Sequence, residues 1–116
     1  MSKKTYEYRV TITFDLSYSK TPEYRFINSY LDEKGFYSLK SLDEHMPSNI
    51  YTGTTFAEVE VAGTVPTFNE LKTGSDKAVR NVFESIKRNA ENAGIDITLY
   101  VQASPEFMTS ARRSRA

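Results

Sequence analysis

Residues 6–16 read YEYRVTITFDL, and the alternation in that stretch decides the fold. Tyr6, Tyr8, Val10, Ile12, Phe14 and Leu16 fall on one side; Glu7, Arg9, Thr11, Thr13 and Asp15 fall on the other. Period two sustained over this length predicts a strand with one packed face and one face toward solvent or a partner. Downstream, SYSKTPE reads as a loop, with Thr21 as N-cap, Pro22 as first helical residue and Glu23 in the favourable first turn. Tyr24, Ile27 and Leu31, supported by Phe26 and Tyr30, form the apolar stripe of a helix that Gly35 ends as a left-handed residue. Residues 36–42 read as a short second strand, and DEHMPSN as a turn-rich connection in which Pro47 excludes a central strand.

Residues 50–61 read as the third strand, with Ala57, Val59 and Val61 opposed to Phe56, Glu58 and Glu60, and Gly53 marking a bulge. AGTVPTFNELKTGS is expected to be a loop holding one helical turn, opened by a Thr67/Glu70 capping box. Ser75 is expected to cap the second long helix, whose apolar face is Val79, Val82, Phe83, Ile86 and Ala90 and whose stop is Gly94. Ile95, Ile97, Leu99, Val101 and Ala103 form the last alternating strand, and Pro105 opens a short turn. The order is βαββαβ. With right-handed crossovers it predicts an α+β, ferredoxin-like plait: a four-stranded antiparallel sheet, order 4-1-3-2, with two helices on one face. The expected organisation is a disordered N-terminus (1–5), one domain (6–104) and a basic C-terminal tail (105–116).

Composition narrows the chemistry. The chain has 116 residues, fifteen basic and fifteen acidic, no cysteine and one histidine. A disulfide framework, a thiolate metal site, a Cys–His pair and a two-histidine ribonuclease within one chain are thereby excluded. No apolar run reaches membrane-span length and the first residues lack a signal-peptide core, so a soluble cytoplasmic protein is expected. The zero net charge is uneven. Lys3, Lys4, Arg112, Arg113 and Arg115 sit in the flanks, leaving ten basic and fifteen acidic residues in 5–111, a net of −5. The basic ends are either solvated tails or loose, salt-dependent contacts to a phosphate backbone.

Asp15 is the leading chemical candidate. It stands at the end of the first strand on the polar side, before Ser17, Tyr18 and Lys20. A carboxylate there either binds a hard divalent cation or orients a water, or else caps the following loop through Asx-type hydrogen bonds. His45, beside Asp43 and Glu44, is either a proton donor or phosphate contact, or a solvated loop residue. The open sheet face offers Phe56 and Tyr100, but its glutamates make it a poor RNA platform and a better protein contact, such as a homodimer interface. The tyrosines read as packing residues.

Val10-Thr11-Ile12-Thr13-Phe14-Asp15, the Ser/Tyr loop and the aromatic-rich helix after it resemble the GhoS-like antitoxin endoribonucleases of type V toxin–antitoxin systems. That family is related in fold to CRISPR-associated spacer-acquisition nucleases. Phe36, Ser38, Met46-Pro47 and Thr55-Phe56-Ala57 extend the likeness across the first half of the chain. The resemblance implies cleavage of single-stranded RNA, the messenger of a partner toxin, with no DNA or membrane partner. It implies Asp15 as the catalytic or metal-binding residue, with a divalent metal permitted but none required. Where the family carries a first-helix arginine, this sequence has Asn28, with Arg25 one turn earlier. On that pattern Asp15 and Arg25 would be catalytic and His45 an acid/base. Ser17, Tyr18, Lys20, Asn28, Arg112, Arg113 and Arg115 would hold RNA. The alternative is a non-catalytic interaction module, homodimeric or partner-binding, on the same fold.

Overall fold

The computed structural model describes residues 2–16, 21–42 and 49–109. In chain order the elements are β1 (Ser2–Leu16), α1 (Thr21–Glu33), β2 (Tyr37–Ser38), α2 (Leu39–Leu42), β3 (Ile50–Val61), α3 (Phe68–Asn92) and β4 (Ile97–Pro105). A 3-10 turn, Glu106–Met108, follows. The strands form one open antiparallel sheet in the order β2-β3-β1-β4, which read from the β4 edge is 4-1-3-2. The chain is therefore α+β, with an architecture consistent with a ferredoxin-like plait. No helix among the described residues is long and apolar enough to cross a membrane.

β1 organises everything else. Its even-numbered side chains Tyr8, Val10, Ile12, Phe14 and Leu16 are buried, and the odd-numbered set faces the other way. Ile27 and Leu31 of α1 and Val82, Ile86 and Ala90 of α3 close over the buried side in one cluster. Both long helices therefore lie on the same face. Tyr30 of α1 hydrogen-bonds Ser85 of α3 and links the two.

Four sequence expectations need correction. Residues 2–5, expected to be disordered, continue β1: Ser2 pairs with Val61 and Thr5 with Glu58. Lys3 approaches Glu58 at 3.8 Å and the Lys4 ammonium donates to the Thr64 carbonyl, so two of the five terminal cations are built into the fold. The second strand is only Tyr37–Ser38, because Ser38 turns the chain. Its hydroxyl oxygen accepts from Lys40 N–H and its carbonyl accepts from the Ser41 hydroxyl, which starts α2. Gly53 makes no bulge. It pairs in unbroken register with Val10, and a Cβ there would collide with the Phe36 ring.

The largest difference is α3. Ser75 does not start it; the helix begins seven residues earlier with Thr67 as N-cap in a complete capping box with Glu70. Gly74, within the stretch expected to be a loop, sits inside the helix. A Cβ at Gly74 would lie 1.8 Å from the Tyr8 hydroxyl, which passes under the helix and donates to the Leu71 carbonyl. The roughly 1 kcal/mol that a mid-helix glycine costs is thus the condition for laying α3 directly on β1.

Candidate functional site

Asp15 lies at the C-terminal end of β1, opposite Thr98 of β4, with its side chain exposed. Its Oδ1 accepts two hydrogen bonds, from Leu16 N–H and from the Tyr24 hydroxyl, each at 3.1 Å. Tyr24 is placed by packing: its ring lies 6.2 Å from that of Phe14, which in turn lies 5.6 Å from Tyr51. A row of aromatic rings running from β3 through β1 to α1 therefore holds a phenol against the carboxylate. Oδ2 makes no hydrogen bond among the described residues. The Asx-type capping of the following loop, expected as an alternative role, falls on residues outside the described ones.

Arg25 follows Tyr24 on α1 and is exposed, turned about 100° around the helix from it. Among the described residues it forms no ion pair, with Asp15 or with any other acid. Asn28, one turn on, accepts a hydrogen bond from the buried Tyr51 hydroxyl. Burial holds the Tyr51 phenol above its usual pKa, so it stays a donor. Asn28 also lines an open cleft of about 410 Å³ with Ser29, Asp32, Tyr37, Ser41 and Tyr51. Asp15, Tyr24, Arg25 and Asn28 are thus carried on one end of the sheet and the helix over it.

Ser17, Tyr18, Lys20, His45, Arg112, Arg113 and Arg115 lie outside the described residues. The described chain stops at Thr109, whose hydroxyl bonds Ser104 and Pro105. Ser104 stands opposite Arg9, about 20 Å of strand away from Asp15. Among the described residues no group of three or more His, Cys, Asp or Glu side chains could hold a metal ion.

The open face of the sheet is acidic in its effect. Arg9, its central cation, is taken up by a two-pronged pair with Glu106: Nε to Oε2 at 2.8 Å and Nη2 to Oε1 at 2.9 Å. The guanidinium holds the Glu106 carboxyl below the usual carboxylate range. Glu7, Glu58 and Glu60 remain, with Phe56 about two-thirds exposed among them, while half-exposed Tyr100 stands opposite Thr13, toward the Asp15 end. That agrees with reading this face as a poor phosphate surface. Sequence reasoning missed Tyr24 and Tyr51 as partners of Asp15 and Asn28, and Glu106 as the partner of Arg9. The packing of α1 on the sheet brings the first two pairs together and the β1–β4 register the third, and nothing local in the sequence signals them.

No family model, curated protein or solved structure matches the chain.

Proposed function

We propose that this chain is a GhoS-like endoribonuclease on a ferredoxin-like scaffold, cleaving single-stranded messenger RNA in the cytoplasm as the antitoxin of a toxin–antitoxin pair. One observation carries the reading. An exposed carboxylate at the end of the central strand is fixed through one oxygen by Tyr24 and Leu16 N–H, while its second oxygen has no partner among the described residues. Exposed Arg25 on the adjoining helix face supports it.

In this reading Asp15 Oδ2 accepts the proton of a ribose 2′-hydroxyl as that oxygen attacks the neighbouring phosphorus. The new 2′-O–P bond forms and the P–O5′ bond breaks. This leaves a 2′,3′-cyclic phosphate and a 5′-oxygen that takes a proton from water or from His45. Arg25 meets the charge that develops on the non-bridging phosphate oxygens. Fixing the carboxylate beforehand lowers the cost of ordering it at the moment of reaction. No step here is routed through a metal.

The test is cleavage of labelled single-stranded RNA by the full chain, with and without EDTA, beside Asp15→Ala, Arg25→Ala and a truncation after Ser110. We expect Asp15→Ala to lower the rate by about 10²–10⁴-fold, the range for loss of a positioned base. Arg25→Ala should also cost rate, and the truncation should weaken binding and flatten its salt dependence. Cleavage unchanged in Asp15→Ala would remove the proposed site. No cleavage by the parent chain would favour the interaction module, which the exposed Phe56 and Tyr100 support.

A further inference from the structure

β2 is two residues long, and this leaves most of β3 without an outer neighbour. Tyr37 and Ser38 pair with Thr52 and Tyr51 only; beyond them, among the described residues, no strand lies against the outer side of β3. The direction of its backbone groups follows from what is bonded. Thr52 faces β2; at the far end the Glu58 carbonyl accepts from the Lys77 ammonium at 3.0 Å and Ala62 N–H donates to Glu70 Oε2 at 3.0 Å. The even-numbered groups therefore point outward and the odd-numbered ones toward β1, as the antiparallel ladder requires. The N–H groups of Thr54, Phe56, Glu58 and Glu60 are left facing out.

A groove of about 370 Å³ runs along this edge, bounded by Glu58, Val59 and Glu60 of the strand and by Glu70, Thr73 and Lys77 of α3. The same even-numbered residues send their side chains to the open face: Phe56, two-thirds exposed, then Glu58 and Glu60, with Glu7 opposite Phe56 on β1. Two cations reach this strip, Lys3 at 3.8 Å from Glu58 and Lys77 on the Glu58 carbonyl, against four carboxylates, Glu7, Glu58, Glu60 and Glu70. Backbone, groove and charge therefore select the same kind of occupant.

We infer that the outer edge of β3 is a docking site for an extended cationic peptide segment of a partner protein, which adds to the sheet as a fifth strand. Main-chain hydrogen bonds to residues 54–60 supply affinity. Basic residues at every second position lie beside Glu58 and Glu60, their aliphatic stems covering Phe56. Small apolar residues at the alternate positions face Val59 and the wall of α3. Lys77, already on the Glu58 carbonyl, guards the edge until the segment displaces it. This inference is independent of the RNA reading, since it uses neither Asp15 nor Arg25.

The test is backbone amide exchange on the isotope-labelled full chain, alone and with the blocked peptide KVKVKVK, its acidic counterpart EVEVEVE, and KVKPKVK. In the free chain the amides of Thr54, Phe56, Glu58 and Glu60 should exchange fast, while those of Thr55, Ala57 and Val59 are protected. KVKVKVK should protect the even-numbered set, and the acidic and proline peptides should not. Glu58→Lys with Glu60→Lys, both exposed, should weaken the peptide by about tenfold while leaving the free-chain exchange pattern intact. The inference is overturned by even-numbered amides already protected in the free chain, or by no protection at millimolar peptide. Equal protection by the acidic peptide would overturn it too, as would protection that grows with protein concentration alone, which would make a second copy of this chain the occupant.

Discussion

Two tyrosine hydroxyls tie the central strand to the helices above it, at the same length and with opposite consequences. Toward the N-terminal end of β1, Tyr8 donates to the Leu71 carbonyl at 3.1 Å in a fully buried setting. At the other end, Tyr24 donates to Asp15 at 3.1 Å in an exposed one. Around Tyr8 every neighbour is committed: Ala57 and Ala78 pack on the ring, and Gly74 gives up its side chain to admit it. Around Asp15 the bond fixes one oxygen, and the other has no partner among the described residues. The difference teaches that a hydrogen bond's role follows from its surroundings more than from its length. Where water is excluded the bond serves packing, because breaking it strands a polar group. Where water enters, it orients a group that remains free to react.

The largest effect expected on the packed end comes from filling Gly74. Gly74→Ala places a methyl 1.8 Å from the Tyr8 hydroxyl and 2.5 Å from its ring, with Val59 at 2.9 Å on another side. The ring cannot retreat into a closed core, so overpacking of about 1–3 kcal/mol outweighs the roughly 1 kcal/mol that alanine returns as a better helix former. Urea unfolding should show a net loss of up to about 2 kcal/mol. Alanine that stabilises the chain would mean that Tyr8 does not hold its place under α3.

A smaller effect separates the middle of the strand from both ends. The Arg9–Glu106 pair joins β1 to the turn after β4, with both side chains one-third exposed. Arg9 holds the Glu106 carboxyl below its ordinary pKa of 4.5. A carboxyl with a lowered folded-state pKa adds stability that is fully present above its unfolded value and is lost as pH falls through the folded value. Comparing the parent with Glu106→Gln by urea midpoint should therefore show a difference of about 0.5–1 kcal/mol at neutral pH, as for a partly exposed two-pronged pair. The difference should shrink as the pH falls below about 4.5 and close once it has passed the lowered folded-state value. A gap that persists unchanged into acid would assign the turn's stability to Pro105 and the Thr109 bonds instead.

The contrast between the ends also governs what could be read from residue order. The alternation of β1, the helix closed by Gly35 and the strand at β4 are local patterns, and the structure carries each of them, with Gly35 at φ 87°. The full length of α3 was not legible. Lys72-Thr73-Gly74-Ser75 has the composition of a stop, and the reason for Gly74 is Tyr8, more than sixty residues earlier. At the candidate site Asp15 was legible because strand ends with acidic residues announce themselves. Tyr24 and Tyr51 were not, since among eight tyrosines nothing local separates a ring that packs from one whose hydroxyl also holds a partner. The open edge of β3 was illegible for the same reason: it depends on Ser38 ending β2 after two residues.

The smallest structural effect is the sharpest test of the comparison, because it sets two identical substitutions against each other. Tyr8→Phe removes a buried hydroxyl from the Leu71 carbonyl and should cost about 1 kcal/mol in urea unfolding. It touches nothing near Asp15, so RNA cleavage should be unchanged. Tyr24→Phe keeps the ring against Phe14 and removes only an exposed hydroxyl, so its stability should stay within about 0.5 kcal/mol of the parent. If Tyr24 positions the reacting carboxylate, that variant should instead lose about three- to tenfold in kcat with KM unmoved, a loss confined to the chemical step. Equal stability costs for the two variants would erase the distinction between a bond that packs and a bond that aims. A raised KM at constant kcat in Tyr24→Phe would recast the phenol as a contact to RNA.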